Sequence, residues 1–166
     1  MRGDSKLYDV LKSLDIAFDY YEHPPAHTIE EAMKYWKDVP AAHCKNLFFR
    51  NHKGNKHYLV ILEASQQMNI HNIERQLGQG KLSFASEQRM MKYLGLKPGS
   101  VSPFGLIHDE NKEVIVFIDE NLQHAQKISF HPNLNQASLV ISYIDLLKFL
   151  NYCGNSYHFI KLYDFM

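Results

Sequence analysis

CKNLFFRNHKGNKHYLVILE, residues 44–63, carries two β-type runs in close succession. Residues 45–50 and 57–63 are rich in apolar, aromatic and β-branched side chains, and the separator Asn51-His52-Lys53-Gly54-Asn55-Lys56 is polar and contains a glycine. That pattern predicts a hairpin. Further along, residues 114–118 form a continuous apolar run that reads as a buried strand, and residues 128–130, 138–141 and 158–162 are shorter strand candidates. Residues 16–22 alternate and are aromatic, which suits a strand that His23-Pro24-Pro25 must stop.

Helical signals fall between these strands. Leu7, Val10, Leu11 and Leu14 recur at helical spacing behind a cap at Asp4 or Ser5. Thr28-Ile29-Glu30-Glu31 is a capping box, predicting a helix to about Trp36. Residues 69–77 form a further helix that Gly78-Gln79-Gly80 ends, and a short segment, 82–85, leads to a helix over 87–93 capped by Ser86. Ser142-Tyr143-Ile144-Asp145 repeats the capping pattern ahead of Leu146, Leu147 and Leu150. Strands and helices mix without a regular βαβ alternation, and neither GxGxxG nor GxxxxGK[ST] is present. The expectation is an α+β fold on a largely antiparallel or mixed sheet.

A length of 166 residues with 45% apolar composition suits one globular domain over 1–166. Two cysteines, Cys44 and Cys153, make neither a disulfide framework nor a thiolate zinc site. Eighteen basic residues balance eighteen acidic ones, which argues against a general DNA-coating protein. No apolar run reaches the roughly 20 residues that cross a bilayer, so neither DNA nor a membrane is expected as partner and a cytoplasmic location is.

Ten histidines invite a metal reading, yet His23 and His27 are separated by Pro24-Pro25, His52 and His57 flank a turn, and HExxH is absent. No metal or cofactor is expected. GxSxG is also missing, and Cys44 reads better as a small buried hydrophobe than as a nucleophile. Three stretches place unusual residues on irregular backbone: Lys45-Asn46 at the start of an apolar strand, the loop Gly99-Ser100-Val101-Ser102-Pro103-Phe104-Gly105, and the polar corner Phe130-His131-Pro132-Asn133-Leu134-Asn135. The glycines of the loop can take positive φ and let another backbone approach. Each stretch taken alone has an ordinary structural reading.

Taken together, HPPAHTIEEA (23–32), CKNLFFR (44–50), YLGLKPGSVSPFGL (93–106), VIVFID (114–119) and ISFHPNLNQASLVIS (128–142) resemble the YbaK/prolyl-tRNA synthetase editing-domain superfamily, and within it the free-standing ProX type of alanyl-tRNA(Pro) deacylase. The resemblance runs from about Ser5 to Leu150. It implies a mixed, partly barrel-like sheet surrounded by helices, with a pocket for the aminoacyl end of a tRNA. It also implies Lys45, Gly105 and His131 as catalytic residues, with Thr28, Asn46, Ser102, Pro103, Phe104 and Asn133 binding substrate. One local departure is Ala26-His27, where the family commonly carries a bulky apolar pair ahead of the threonine.

The reaction so implied has a simple physical purpose. A site shaped for proline cannot exclude the smaller alanine, because a methylene is worth only about 1–3 kcal/mol in an apolar pocket. A second, smaller pocket that admits alanine but not the proline ring restores the discrimination. The ester is already activated, so positioning a water and stabilising an oxyanion suffice. On this reading Lys45 holds the terminal phosphate or ribose, amides around Gly105 bind the carbonyl, and His131 contacts the adenosine end or the water. Arg50, Lys53 and Lys56 offer a modest patch for the acceptor stem, and prolyl-tRNA synthetase is a possible partner. Two alternatives stay open: a deacylase for Cys-tRNA(Pro) or another small aminoacyl-tRNA, and a non-catalytic tRNA-binding module.

Overall fold

The computed structural model describes residues 1–26 and 28–163; His27, within the stretch singled out above, lies outside the described residues. The predicted hairpin forms from β2 (Ala42–Asn51) and β3 (His57–Glu63), antiparallel with Leu47 opposite Val60. The other strands are β1 (Asp19–Glu22), β4 (Leu82–Phe84), β5 (Val114–Asp119), β6 (Lys127–Phe130), β7 (Ala137–Ser142) and β8 (Tyr157–Ile160). They join one sheet of eight strands in the order β1-β7-β6-β2-β3-β5-β8, with β4 added on β2. The pairs β2·β6, β3·β5 and β5·β8 are parallel and the rest antiparallel, so the sheet is mixed, as expected.

Strand β3 is central, and side-chain alternation along it sorts the core into two layers. Leu59 and Ile61 join Phe48, Val116 and Ile118 on one face, under helices α1 (Ser5–Ser13) and α5 (Tyr143–Cys153). Tyr58, Val60 and Leu62 join Phe49 and Phe117 on the other, under α3 (Ile70–Leu77). The remaining helices, α2 (Ile29–Trp36) and α4 (Glu87–Leu94), flank the middle of β2. The sequence caps hold: Thr28 Oγ1 accepts the Glu31 amide at 3.1 Å, and Ser142 Oγ accepts that of Asp145 at 3.0 Å.

Two stretches differ most from the sequence reading. Residues 16–18 are not strand, because Asp15 takes a left-handed φ of 57° and the Ile16 amide bonds back to Leu11 O at 2.9 Å. That turn buries Ile16 against α1. The end of the loop over 99–105 opens a 3-10 helix, Pro103–His108, because proline presets φ at its first position and the Ser102 hydroxyl accepts the Phe104 amide at 3.0 Å.

The hairpin tip is tied to α4 through an unusual pair. Arg89 Nη1 donates to Gly54 O and to His57 Nε2, both at 2.9 Å. His57 is 1% exposed and packs against the Tyr93 ring, centroids 4.0 Å apart and planes tilted by 33°. Burial, reinforced by the charges of Arg89, Lys92 and Arg50, pushes its pKa down to about 4. The folded protein therefore keeps His57 neutral where the unfolded chain, titrating near 6.5, takes up a proton. Stability is full above pH 6.5 and falls as pH drops toward 4. Between pH 7.5 and pH 5 His57 is expected to cost about 2 kcal/mol of unfolding free energy. Urea titrations at the two pH values check this, and a His57→Gln variant with the wild-type pH difference would refute it.

Candidate active site

Strand β2 is paired along its whole length with β3 but only at its ends on the other side. Strand β6 meets it at Ala42 and His43, and β4 meets it from Phe49 to Asn51. Between them the edge of β2 is open. In an antiparallel ladder, a residue turns its N–H and C=O to the same side and its neighbour turns them to the other. The Ala64 amide donates to His43 O at 2.8 Å and the Asn51 amide to Lys56 O at 3.1 Å, so odd-numbered residues face β3. The Ala85 amide donates to Phe48 O at 2.9 Å, so even-numbered residues face away. Asn46 thus presents its main-chain N–H and C=O to the open edge.

A cavity of about 270 Å³ sits on that edge, lined by Cys44 through Phe48. Side chains of both sheet faces reach it because no strand covers the gap. Lys45 is half-buried, and its Nζ donates to Gln66 O. Asn46 Oδ1 is buried with no hydrogen-bond partner, a costly arrangement for a group with nothing to bind. Cys44 is buried in the core and burial raises its thiol pKa, so it stays protonated.

His131 closes the β6 side. Its Nδ1 lies 2.8 Å from Ala137 O. A carbonyl only accepts, so Nδ1 carries the proton and Nε2 is an acceptor. Burial lowers the pKa, the Ala137 bond opposes this, and the nearby His23 and His43 lower it further. Helix α2 and its cap supply an adjoining wall through Thr28, Ala32 and Trp36, whose ring lies 6.1 Å from that of His131. Trp36 stacks on His43 at 4.8 Å with the rings nearly parallel at 3°, and its Nε1 donates to Ser138 Oγ at 3.3 Å. Ser138 in turn bonds His23 Nε2 at 3.2 Å, while His23 Nδ1 donates to Pro24 O at 2.9 Å. The indole is therefore held by a chain of hydrogen bonds that starts on strand β7.

Of the residues expected at the site, Thr28, Lys45, Asn46 and His131 meet in this cavity, whereas Ser102, Pro103, Phe104, Gly105 and Asn133 do not line it. Gly105 is a correction. It does not take positive φ; its amide donates to Ser102 O at 3.1 Å, so it has no N–H to offer an ester. A Cβ there would come within 2.6 Å of Leu96 Cδ1 and 3.1 Å of Leu94 O, so its lack of a side chain serves core packing. Phe104 is fully buried, edge-on to Phe130 and Phe149. Ser102 Oγ donates to Asn133 Oδ1 at 3.3 Å, and Asn133 Nδ2 donates to Asp4 Oδ2 at 3.1 Å. Asp4 also bonds His108 Nε2 at 2.6 Å. Burial would raise the Asp4 pKa, but the His108 and Asn133 bonds hold it below the usual value.

The same loop does reach the cavity, through its first half: Gly99, with φ of 86°, and Val101. Sequence reasoning singled out this loop but placed its site residues in the second half, and it passed over Trp36, Phe84 and Met90. The GxxxP spacing of 99–103 was a usable signal for Gly99 and Val101, because a positive-φ glycine lets the following backbone bend into a cleft.

A model of the aminoacyl-tRNA editing domain matches residues 23–149, which takes in every residue of the cavity. The chain belongs to that family. Its reaction is the hydrolysis of an aminoacyl-tRNA ester. It is 43% identical to the prolyl-tRNA editing protein ProX of Acetoanaerobium sticklandii, over 92% of this chain and 93% of that one. It is 32% identical to prolyl-tRNA synthetase associated domain-containing protein 1 of Mus musculus, over 91% of each. A crystal structure of a candidate trans-editing enzyme for prolyl tRNA synthetase superposes with a TM-score of 0.69 at 21% identity, covering 95% of both chains, which shows the shared fold.

The Gly105 geometry makes a definite expectation. Gly105→Ala overpacks the contact with Leu94 and Leu96 and lowers stability by about 1–3 kcal/mol, a fall in Tm of about 3–10 °C. Deacylation per folded molecule stays near wild type. Lost activity at an unchanged Tm would return Gly105 to the pocket.

Proposed function

We propose that this chain is a free-standing editor that hydrolyses Ala-tRNA(Pro), with the alanyl group seated in the cavity on the open edge of β2. The observation that carries the reading is Asn46, whose unpartnered Oδ1 and edge-facing main-chain groups lie on one side of a small cavity. The substrate supplies what they lack. An α-ammonium gives a donor for Oδ1, and the ester carbonyl gives an acceptor for the Asn46 N–H, which becomes the oxyanion contact as the tetrahedral intermediate forms. The names of the relatives, one a prolyl-tRNA editing protein, support tRNA(Pro) as the carrier.

The remaining residues take roles that fit their chemistry. Lys45 exchanges its bond to Gln66 O for a phosphate oxygen of the terminal nucleotide, a stronger charge-assisted contact. The Nε2 lone pair of neutral His131 orients the attacking water, which needs an acceptor and no formal nucleophile. Ala32, Trp36 and Val101 set the width of the sieve, with Trp36 fixed by its stack on His43. Gly105, Ser102, Pro103, Phe104 and Asn133 act by holding the loop and the 131–133 corner in place. Prolyl-tRNA synthetase, which makes the mischarged species, is the natural partner.

Two measurements test this. Deacylation assays on Ala-, Cys-, Ser- and Pro-tRNA(Pro) are expected to show Ala-tRNA(Pro) cleaved fastest and Pro-tRNA(Pro) spared. A preference for Cys-tRNA(Pro), or equal rates on all four, would sink the assignment to alanine. Lys45→Ala is expected to lower kcat/KM about 10-fold or more with the fold intact, since a hydrogen bond to a charged group is worth about 1.5–3 kcal/mol. An unchanged kcat/KM would remove Lys45 from the site.

A further inference from the structure

We infer that Phe84 is a stacking platform for the terminal nucleobase of the tRNA, fixing where the 3′ end lies as the ester enters the cavity; the inference rests on the aminoacyl-tRNA reading above. Phe84 is 60% exposed, yet it lines the rim of the cavity. A single exposed apolar residue is ordinary. What sets Phe84 apart is how it is held. It sits opposite Phe49 in the β2·β4 pairing, and the two rings pack with centroids 4.7 Å apart. The next residue, Ala85, donates its amide to Phe48 O. One side of the ring is thus fixed on a fully buried neighbour while the ring remains open to solvent, so a base landing on it orders nothing new.

Register places the platform relative to the chemistry. Residues directly opposite in a sheet share a face, so Phe84 shares the face of Phe49, Leu47 and Lys45. Lys45 and Phe49 are four residues apart, about 13 Å along a strand. A nucleotide laid along this face puts its phosphate at Lys45 and its base at Phe84, with the ester turned over the strand edge to Asn46. Outward from Phe84, the exposed Lys53, Lys56 and Lys81 border one surface depression around the hairpin tip and the start of β4. An aromatic followed by a group of cations is how single-stranded nucleic acid is bound without base reading: stacking for the base, charge for the backbone.

The test is steady-state hydrolysis of Ala-tRNA(Pro) by wild type, Phe84→Ala, Phe84→Leu and Phe84→Trp, with a parallel substrate whose terminal nucleotide is abasic. Phe84→Ala and Phe84→Leu are expected to raise KM about 10-fold, within the range of one lost base stack, with kcat within about twofold. Phe84→Trp keeps wild-type KM. The abasic substrate raises KM for wild type but adds little for Phe84→Ala, because both remove the same contact. An unchanged KM in Phe84→Ala, or independent penalties from the two changes, overturns the inference while leaving the editing reading intact. A change in oligomeric state with unchanged KM would give the ring to a second copy of the chain instead. If wild type cleaves no aminoacyl-tRNA, the editing reading fails, and tryptophan fluorescence still decides the platform. The Phe84→Trp emission must be quenched by uncharged tRNA and not by its abasic form; equal quenching, or none, overturns it.

Discussion

A β-strand that is paired on one side and bare on the other for a few residues has main-chain donors and acceptors that must find partners elsewhere. Strand β2 is in that position between His43, where β6 leaves it, and Phe49, where β4 joins it. The other features of the site follow from this gap. It lets side chains of both sheet faces, Lys45 from one and Asn46 from the other, line a single cavity. It also turns the Asn46 backbone toward that cavity. A long edge of this kind invites pairing with another chain. Here the opening is short, and α2, α4 and the 131–133 corner stand around it.

Those surroundings are fixed by polar contacts as well as by the buried apolar cluster of Ala26, Ala32, Trp36 and Ala64. The Trp36 indole is held through Ser138 and His23, and the corner carrying His131 is held through Asn133, Asp4 and His108. Each chain of contacts joins elements distant in sequence. A sieve that discriminates by one or two carbons depends on walls that do not yield. Buried, satisfied hydrogen-bond networks provide such rigidity, because moving any member strands the others.

The elements were largely legible from sequence because their local signals agree: capping boxes at Thr28 and Ser142, a polar hairpin separator at 51–56, and the unbroken apolar run of β5. The α+β fold on a largely antiparallel or mixed sheet followed from them; the family came from the resemblance of the longer motifs, CKNLFFR and FHPN among them. What stayed hidden was direction. Lys45, Asn46, Thr28 and His131 line one cavity, but spacing alone does not reveal which half of the 99–105 loop faces it. Gly105 was read as a backbone kept bare for a ligand, and its bareness answers to Leu94 and Leu96 instead. Both readings require a glycine. Only the third dimension separates them. Phe84 and Trp36 were missed for a similar reason, since an aromatic in a short strand or at a helix end is written the same way whether it faces a core or a cleft.

The contact between Asp4 and Asn133 spans 129 residues of chain. During synthesis the first of these leaves the ribosome about 6–26 s before the second, at about 5–20 residues per second. Until then the cap of the first helix has no corner to grip, and the loop behind the cavity has no brace. The emerging chain can form its hairpin early, since that pairing is local, but the pocket is among the last features to close. An editor built this way has no working fragment: a truncated product released midway carries the β2 edge without the walls that make it selective.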